Sequence, residues 1–429
     1  MGYLNSYTVK LRAWDEEHDI TQYVVSFTTE SVAGLGQLGS ARCAITLNNQ
    51  TGAFTPYEVG GQGTYSNDNL FGYCLTIEAE IDDTPSPIDV TVFDGVIRNV
   101  AMSGNVYDST VTLTCTDWVA VSSGVPANTV QASTAYDFDD TLEYVMNGSF
   151  SPTTFGLGLD LPTFGATSPA ESFQAIPMGP VSTQLKMPAT NSTTAHDLLA
   201  NTVLTSGPFV TWPGEIIFTV SPAQIQYNLY TLDRTLTRTF SVTAMQFGPD
   251  LSGNGIPIVD ITIGYNTDLI TSQTSTTSGL TGSTEQTVTN NTTTATYGGR
   301  TRTYNGTANT SDSEALQVSG FWTNRQAIAR STPLEVTTTL AAIDADQTAV
   351  PAQVAALFDF GDSLYQVAST SFTATGGVYI TTDQITTRRR ISATPSNTTI
   401  TVSMIPAADY QSFVLDSSTL GVLDQNRLG

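Results

Sequence analysis

Period-two alternation of apolar and polar residues is the feature that most narrows what this chain can fold into. Tyr7, Val9, Leu11 and Ala13 alternate with Thr8, Lys10 and Arg12. Leu75, Ile77, Ala79 and Ile81 alternate with Thr76, Glu78 and Glu80, and Val111, Leu113 and Cys115 with Thr112, Thr114 and Thr116. Successive side chains of a strand point to opposite faces, so each run predicts a strand with one buried and one wet face. Such strands belong to antiparallel sandwiches and barrels more than to doubly covered parallel sheets. Turn signals at Asn49-Gln50-Thr51-Gly52, Asp94-Gly95 and Ser103-Gly104-Asn105 separate the runs. Residues 1–120 therefore read as one β-barrel-like domain.

The chain then changes character. Residues 124–179 are rich in Pro, Gly, Phe and Ala and alternate little. Helical spacing predicts short helices near Asp139–Met146 and over Thr193–Asn201. Phe209 to Trp212, Pro213-Gly214 and Glu215 to Phe218 read as a hairpin. Residues 121–235 thus form a smaller mixed α/β domain inserted before a second β-rich domain over 236–406. In that domain strands are expected around Phe240–Ala244, Ile258–Tyr265, Leu334–Leu340, Ser363–Val367, Gly377–Thr382 and Ile400–Met404. Asp312–Ala327 is helix-compatible, with Leu316, Phe321 and Trp322 as its bulky residues, and Pro351 opens a short helix over Ala352–Leu357. The Ser/Thr/Asn/Gly tract at 271–311 fits a linker or weak strands with long loops; recurring Val288, Tyr297 and Tyr304 favour the strands.

Charge excludes some partners. The 429 residues carry 39 acidic and 15 basic side chains, a formal net charge of -24. A surface of that sign repels phosphate backbones and anionic membrane. Two readings stay open: simple solubility, or a wall that DNA passes without sticking. Only 13% of residues are charged, against about 25% in ordinary soluble proteins, and Thr, Ser, Asn and Gly fill the gap. Cys43, Cys74 and Cys115 are odd in number and irregularly spaced, so buried free thiols are expected. No signal pattern opens the chain, and no apolar run approaches the ~20 residues of a membrane span. Synthesis in a cytoplasm without conventional export is the expectation.

No catalytic pattern emerges. Of the two histidines, His18 lies in an acidic run and His196 beside Asp197. A nucleophile needs a base within reach, and neither a G-x-S-x-G elbow, an HExxH, a Walker loop nor a paired Cys/His cluster is present. The carboxylate clusters Asp137-Asp139-Asp140 and Asp344-Asp346 read as solvated loops. No catalytic, cofactor-binding or metal-binding residue is assigned. Arg388-Arg389-Arg390 is the one basic run. It either meets an acidic neighbouring subunit or protects an edge strand with charge. The terminal segment, 407–429, carries Phe413, Leu415, Leu420, Val422, Leu423 and Leu428. An apolar chain end docks somewhere, here most readily near a subunit interface.

Asp19-Ile20-Thr21-Gln22-Tyr23-Val24, followed by Ala44-Ile45-Thr46-Leu47-Asn48-Asn49-Gln50-Thr51-Gly52-Ala53-Phe54-Thr55-Pro56, resembles the start of siphophage minor tail proteins, the baseplate-hub family. Phe93-Asp94-Gly95-Val96-Ile97 resembles that family's "F-x-G-x-[IV]" hairpin, and Val111 to Asp117 its following strand. Phe413 to Gly429 is similar to its terminal signature. The Trp212 hairpin and the segments from Ile258 and Asp312 fall in matching order. The resemblance implies a mainly β protein with two tail-tube-like β-barrel domains, a mixed α/β domain between them and a docked C-terminal tail. It implies a homotrimeric ring joining the tail tube to the tip, with a channel for DNA ejection. Implied partners are the tail tube or distal tail protein, the tape measure protein and a central fibre or spike protein. DNA would pass without specific binding, repelled by an acidic lumen. Candidate interface residues are Arg388, Arg389, Arg390, Phe413, Leu420, Leu423 and Arg427. A receptor-binding adhesin, suggested by the Thr/Asn surface and the aromatic content, is the alternative, and a glycan-degrading enzyme ranks last.

Overall fold

The computed structural model describes residues 2–13, 16–32, 40–55, 64–65, 70, 73–83, 86–104, 109–117, 120, 194, 197, 200, 215–221, 224–230, 245–248, 255–265, 270–278, 282–307, 311–325, 331–346, 349–359, 367–374 and 377–406. The expected helix near Asp139–Met146 and the expected strand at Phe240–Ala244 lie outside these residues, as do most of Thr193–Asn201 and Ser363–Val367.

The alternating runs become strands. They are β1 (Leu4–Ala13), β2 (Glu16–Asp19), β3 (Val24–Val32), β4 (Ser40–Asn48), β5 (Cys74–Ile81), β6 (Ile88–Gly104) and β7 (Ser109–Thr116). The second β-rich region supplies β10 (Met245–Phe247), β11 (Asp260–Tyr265), β15 (Ser331–Thr339), β16 (Val367–Ala374), β17 (Gly377–Thr394) and β18 (Asn397–Pro406). Together they make one 13-stranded sheet with the path β11-β15-β18-β17-β3-β4-β7-β6-β5-β1-β2, and β10 and β16 branching from β17. The step between the two regions is a hydrogen-bonded ladder in which β17 pairs antiparallel with β3, Arg388 opposite Val32 through Ala393 opposite Phe27. Among the described residues no strand path closes on itself. What the described residues form is a continuous, mainly antiparallel sheet. Local pattern predicts strands, but which strands pair across more than 350 positions is set by packing.

One core serves the whole sheet. Leu11, Ile45, Leu47, Ile77, Leu113, Ile391, Ile400 and Val402 are buried within a single contiguous apolar cluster. Each such side chain contributes ~1.5–3 kcal/mol relative to exposure. Cys43, Cys74 and Cys115 are buried free thiols, and burial pushes the thiols of Cys43 and Cys115 well up, which makes them poor nucleophiles. Helices α3 (Leu340–Asp346) and α4 (Pro351–Phe358) come from the second region. Pro351 opens α4, Gln353 to Phe358 are buried, and the helix packs on β5 and β6 of the first region. The tyrosines of β1 and the residues before it return the contact. Tyr3 donates its N–H to Asp344 Oδ1 at 2.7 Å and its hydroxyl to the Ala349 carbonyl at 2.6 Å, and the Tyr7 hydroxyl lies 3.2 Å from Thr398 Oγ1.

Two expectations need correction. Asp94-Gly95 is not a turn: β6 runs straight through it. A Cβ on Gly95 would lie 2.4 Å from the Thr116 carbonyl oxygen, so this glycine serves close strand approach. Asp344 and Asp346 lie on α3, not on a loop. Glu215–Ser221 (β8) is a strand as expected and pairs with the following Gln224–Tyr230 (β9), while the other half of the expected hairpin, Phe209 to Trp212, lies outside the described residues.

The tract at 271–311 is structured. Strands β12 (Gln273–Ser278), β13 (Gln286–Thr289) and β14 (Thr301–Thr307) form a small sheet in the order β13-β12-β14, with helix α1 (Asn291–Tyr297) between β13 and β14. Helix α2 (Asp312–Arg325) covers one face. Its buried residues Ala315, Val318, Ser319, Trp322 and Thr323 follow helical spacing, while Leu316 points outward at 44% exposure.

Candidate functional site at the sheet junction

Alternation sorts the side chains of the β17–β3 junction onto two faces. The core face receives Arg389, and the wet face receives Arg388 and Arg390. The arginine triplet thus splits by parity. The edge-protection reading is overturned, because the strand carrying the triplet is flanked by β18 on one side and β3 on the other.

On the wet face Glu30 of β3 is the centre of a charge cluster. Arg42 of β4 donates its Nε to Glu30 Oε2 at 2.7 Å, and Arg388 donates its Nε to Glu30 Oε1 at 2.7 Å. The terminal guanidinium nitrogens of both arginines also form ion pairs with Glu30. Arg388 continues to Glu335 of β15 at 3.4 Å. Glu30 is only 8% exposed, and burial raises its pKa, yet the hydrogen bonds from Arg42 and Arg388 outweigh burial and hold the carboxyl below its ordinary value. Glu30, Arg42, Arg388 and Arg390, with Thr28 and Thr114, line a depression of about 260 Å3. This cluster joins the two chain regions electrostatically where the ladder joins them by backbone. No local pattern marks Glu30, whose partners lie 12 and 358 positions away.

Around the cluster the wet face is paved with hydroxyls. Thr28 meets Ser392 at 3.4 Å, Thr46 meets Thr112 at 3.4 Å and Thr337 meets Thr401 at 3.1 Å across neighbouring strands. Within the cluster Glu30 and Glu335 are both paired with arginine. Toward the β2 end of the sheet Glu17 and Glu78 share Lys10 at 3.1 and 3.0 Å, and at the β11 end Asp260 lies exposed opposite Thr337.

On the core face Arg389 is 1% exposed. Its guanidinium donates to the Phe358 and Leu357 carbonyls at the end of α4, to the Val92 carbonyl at 3.0 Å and to Ser31 Oγ at 3.4 Å. Val92 is the extra residue of a β-bulge, since Ile77 pairs with Phe93 and Glu78 with Thr91. Arg389 therefore satisfies the acceptors that a bulge and a helix end leave open. Burial lowers its pKa to about 10, so it remains a cation at neutral pH. The side chain is spent inside the chain, away from the surface.

The turn that carries part of the resemblance has its own logic. Asn49 is 2% exposed; its Oδ1 accepts from the Phe54 N–H at 2.9 Å and its Nδ2 donates to Thr55 Oγ1 at 3.0 Å. Gly52 takes a φ of 71°, which favours glycine. His18 packs against Tyr65 and Tyr73 at ring distances of 5.5 and 6.1 Å, a packing role. Phe413, Leu420, Leu423 and Arg427 lie outside the described residues, as do Asp137, Asp139, Asp140 and His196.

No family model matches the chain, and no curated protein matches it in sequence. Solved structures do. A tail protein of prophage MuSo2 from Shewanella oneidensis aligns at 12% identity and a TM-score of 0.48, covering 94% of this chain and 100% of that one. Prophage tail protein gp18 from Listeria monocytogenes aligns at 8% identity and a TM-score of 0.42, covering 92% and 94%. The tail protein from Neisseria meningitidis MC58 aligns at 12% identity and a TM-score of 0.51, over 93% of this chain and 96% of that one. Across almost its whole length, the chain is similar in fold to that Neisseria tail protein.

Proposed function

We propose that this chain is a structural protein of the phage tail tip, a hub or minor tail protein whose copies form a homotrimeric ring between the tail tube and the tip complex. The observation that carries the reading is the continuous sheet, joined at β3–β17 and clad on one face in hydroxyls, within a fold similar to that of a tail protein. A wide antiparallel sheet with one wet, weakly charged face suits the wall of a channel. On this reading the four segments 1–120, 121–235, 236–406 and 407–429 are two tube-type β units, the inserted α/β domain and a tail that docks at a neighbour. The barrels implied by the resemblance close only when copies assemble.

The channel passes DNA during ejection. On this reading the wall discourages binding through weak charge: hydroxyls dominate the face around the junction, and Glu30 and Glu335 are paired there with Arg388. Exposed Arg42 and Arg390, with Phe413, Leu420, Leu423 and Arg427, are the surface candidates for contact with neighbouring chains. The partners are further copies, the tail tube or distal tail protein, the tape measure protein and a central fibre or spike protein. The protein is made in the host cytoplasm and resides in the virion at the tail tip, with no catalytic residue, metal or cofactor in its role. The exposed large apolar side chains among the described residues are aliphatic or methionine, which gives the adhesin alternative no aromatic platform there.

Antibody labelling of intact particles under the electron microscope tests the reading. Signal confined to the tail tip at about one ring per particle is expected. Label along fibres, or on no particle, overturns it.

A further inference from the structure

Among the described residues, three of the sheet's open strand edges differ in chemistry; β10 and the first half of β1 offer others. One end is β2, four residues long and almost wholly charged, Glu16-Glu17-His18-Asp19. Short, charged edges resist pairing with another chain. The opposite end is β11, which pairs with β15 on one side; among the described residues no strand pairs with its other side. The third edge lies within β6. Strand β5 pairs with β6 only from Ile88 to Val96, whereas β7 pairs with it from Val96 to Gly104. From Arg98 to Gly104 one side of β6 is therefore open among the described residues; the β8–β9 ribbon approaches β6 without pairing with it.

These last two edges bound the hydroxyl-clad wall. The path from β11 to β6 is β11-β15-β18-β17-β3-β4-β7-β6, eight strands, each antiparallel to the next. An even number of alternating strands makes the first and last run in opposite directions. Rotation about a ring axis preserves strand direction along that axis, so β6 of one copy meets β11 of the next antiparallel. An odd number would have set them parallel. The open stretches match in length, seven residues on β6 and six on β11, each about 20 Å long. Neither carries lysine or proline, and each holds one charge, Arg98 or Asp260. An exposed apolar side chain on the core-facing layer sits near the end of each, Met102 two residues inside β6 and Val259 just before β11. Met102, opposite Val111, is 43% exposed, and Val259, in step with Ile261 opposite Val336, is 54% exposed.

We propose that Arg98–Gly104 of β6 in one copy pairs antiparallel with β11 in the next copy, a head-to-tail joint that carries the eight-stranded wall around the ring. Backbone hydrogen bonds supply the pairing, and burial of Met102 and Val259 extends the core across the joint. The inference rests on the ring reading above and names the surfaces that make it.

Sedimentation of the full-length chain and three variants tests the joint. Met102→Glu and Val259→Lys each place a charge in the joint without touching the core of a single copy. Each is expected to leave far-UV circular dichroism and melting unchanged while weakening the trimer about tenfold or more. The double variant sets Glu of one copy against Lys of the next and is expected to restore trimers. Trimers unaffected by either single change, or a loss with Val259→Lys alone, which marks a symmetric β11–β11 contact, overturn the joint but leave the ring standing. A wild-type chain monomeric even at high concentration overturns the ring reading as well.

Discussion

The large sheet and the small three-stranded sheet share a backbone pattern and differ in what they bury. Beneath the large sheet lie Ile, Leu, Val and Phe, with Arg389 as the one buried cation among the described residues. Between the small sheet and α2 lie Thr274, Thr276, Ser319 and Thr323, with Ala315, Val318 and Trp322. There Ser319 Oγ lies 2.8 Å from Thr276 Oγ1 and 2.8 Å from the Gln286 carbonyl oxygen, and Thr323 Oγ1 donates to the Val288 carbonyl at 3.3 Å. A buried aliphatic side chain stabilises by burial itself, whereas a buried hydroxyl contributes only what its hydrogen bonds leave after desolvation, ~1 kcal/mol. The large sheet is thus held by area, and the small one by hydrogen-bond geometry around a single tryptophan.

Arg389→Met should have the largest effect. The substitution keeps volume but leaves the Val92, Leu357 and Phe358 carbonyls without their donor, and should cost about 4 kcal/mol in urea unfolding. Its neighbour supplies the contrast. Arg388→Met removes a half-exposed ion-pair partner and should cost under about 1 kcal/mol. Equal losses would mean that the faces of the junction are not energetically distinct.

Trp322→Ala comes next, at about 3 kcal/mol, and should act locally. Trp322 packs at a tilt against Tyr304, ring centroids 6.3 Å apart, and is the bulk of the small unit's apolar interior. Hydrogen exchange should rise across β12, β13 and β14 while β4 and β7 keep their protection. Loss of protection in both sheets together would show that the small unit is not separable.

The same contrast explains what the sequence could and could not disclose. Strands with an aliphatic face were legible: β1, β5 and β7 lie where alternation puts them. So was α4, announced by Pro351. The small unit was half legible, because Thr on both faces of a strand erases alternation, and Asn291–Tyr297 reads as strand by propensity although it folds as helix. Gly95 misled because a glycine needed for close approach and a glycine needed for a turn look alike. The junction was hidden. Arg388-Arg389-Arg390 announced a basic run, but its split into a surface pair and a buried donor depends on which distant strand β17 meets. The tail residues of the candidate site fall outside the described residues.

Two carboxylates near the junction sharpen the comparison through pH. Asp117 is 4% exposed and accepts from the Ala41 N–H at 2.6 Å and the Ala120 N–H at 2.9 Å. Burial outweighs those bonds and raises its pKa to about 7. The folded state therefore holds a proton that the unfolded state releases, so this group's contribution falls as pH rises from near 4 to about 7 and is flat above. Glu30 is shifted down by its arginines, so its contribution is present above the unfolded value and is lost as pH falls through the lowered one. Asp117→Asn should gain on the wild type, on the order of 2 kcal/mol, between pH 4.5 and pH 8, because any fixed cost of the amide cancels in that difference. Glu30→Gln should show no gain over the same span. A flat Asp117→Asn difference would mean that the carboxyl is already ionised in the fold at pH 4.5.

The smallest effect returns to the small sheet. Helix α1 is built from Thr-rich sequence, and β-branched residues lose rotamer freedom in a helix. Its ends compensate. Asn290 Oδ1 accepts from the Thr293 N–H at 3.0 Å, and Gly298 leaves the helix at a φ of 83°. Asn290 also donates its own N–H to the Ser272 carbonyl at 2.7 Å, so the start of the helix is fixed to β12 by backbone whatever the side chain. Asn290→Ala removes the cap alone. It should cost about 1 kcal/mol, read as roughly fivefold faster amide exchange in α1, with β14 unchanged. Exchange that accelerates through β14 as well would make the cap, rather than the α2 contact, what holds the Thr-rich strands in place.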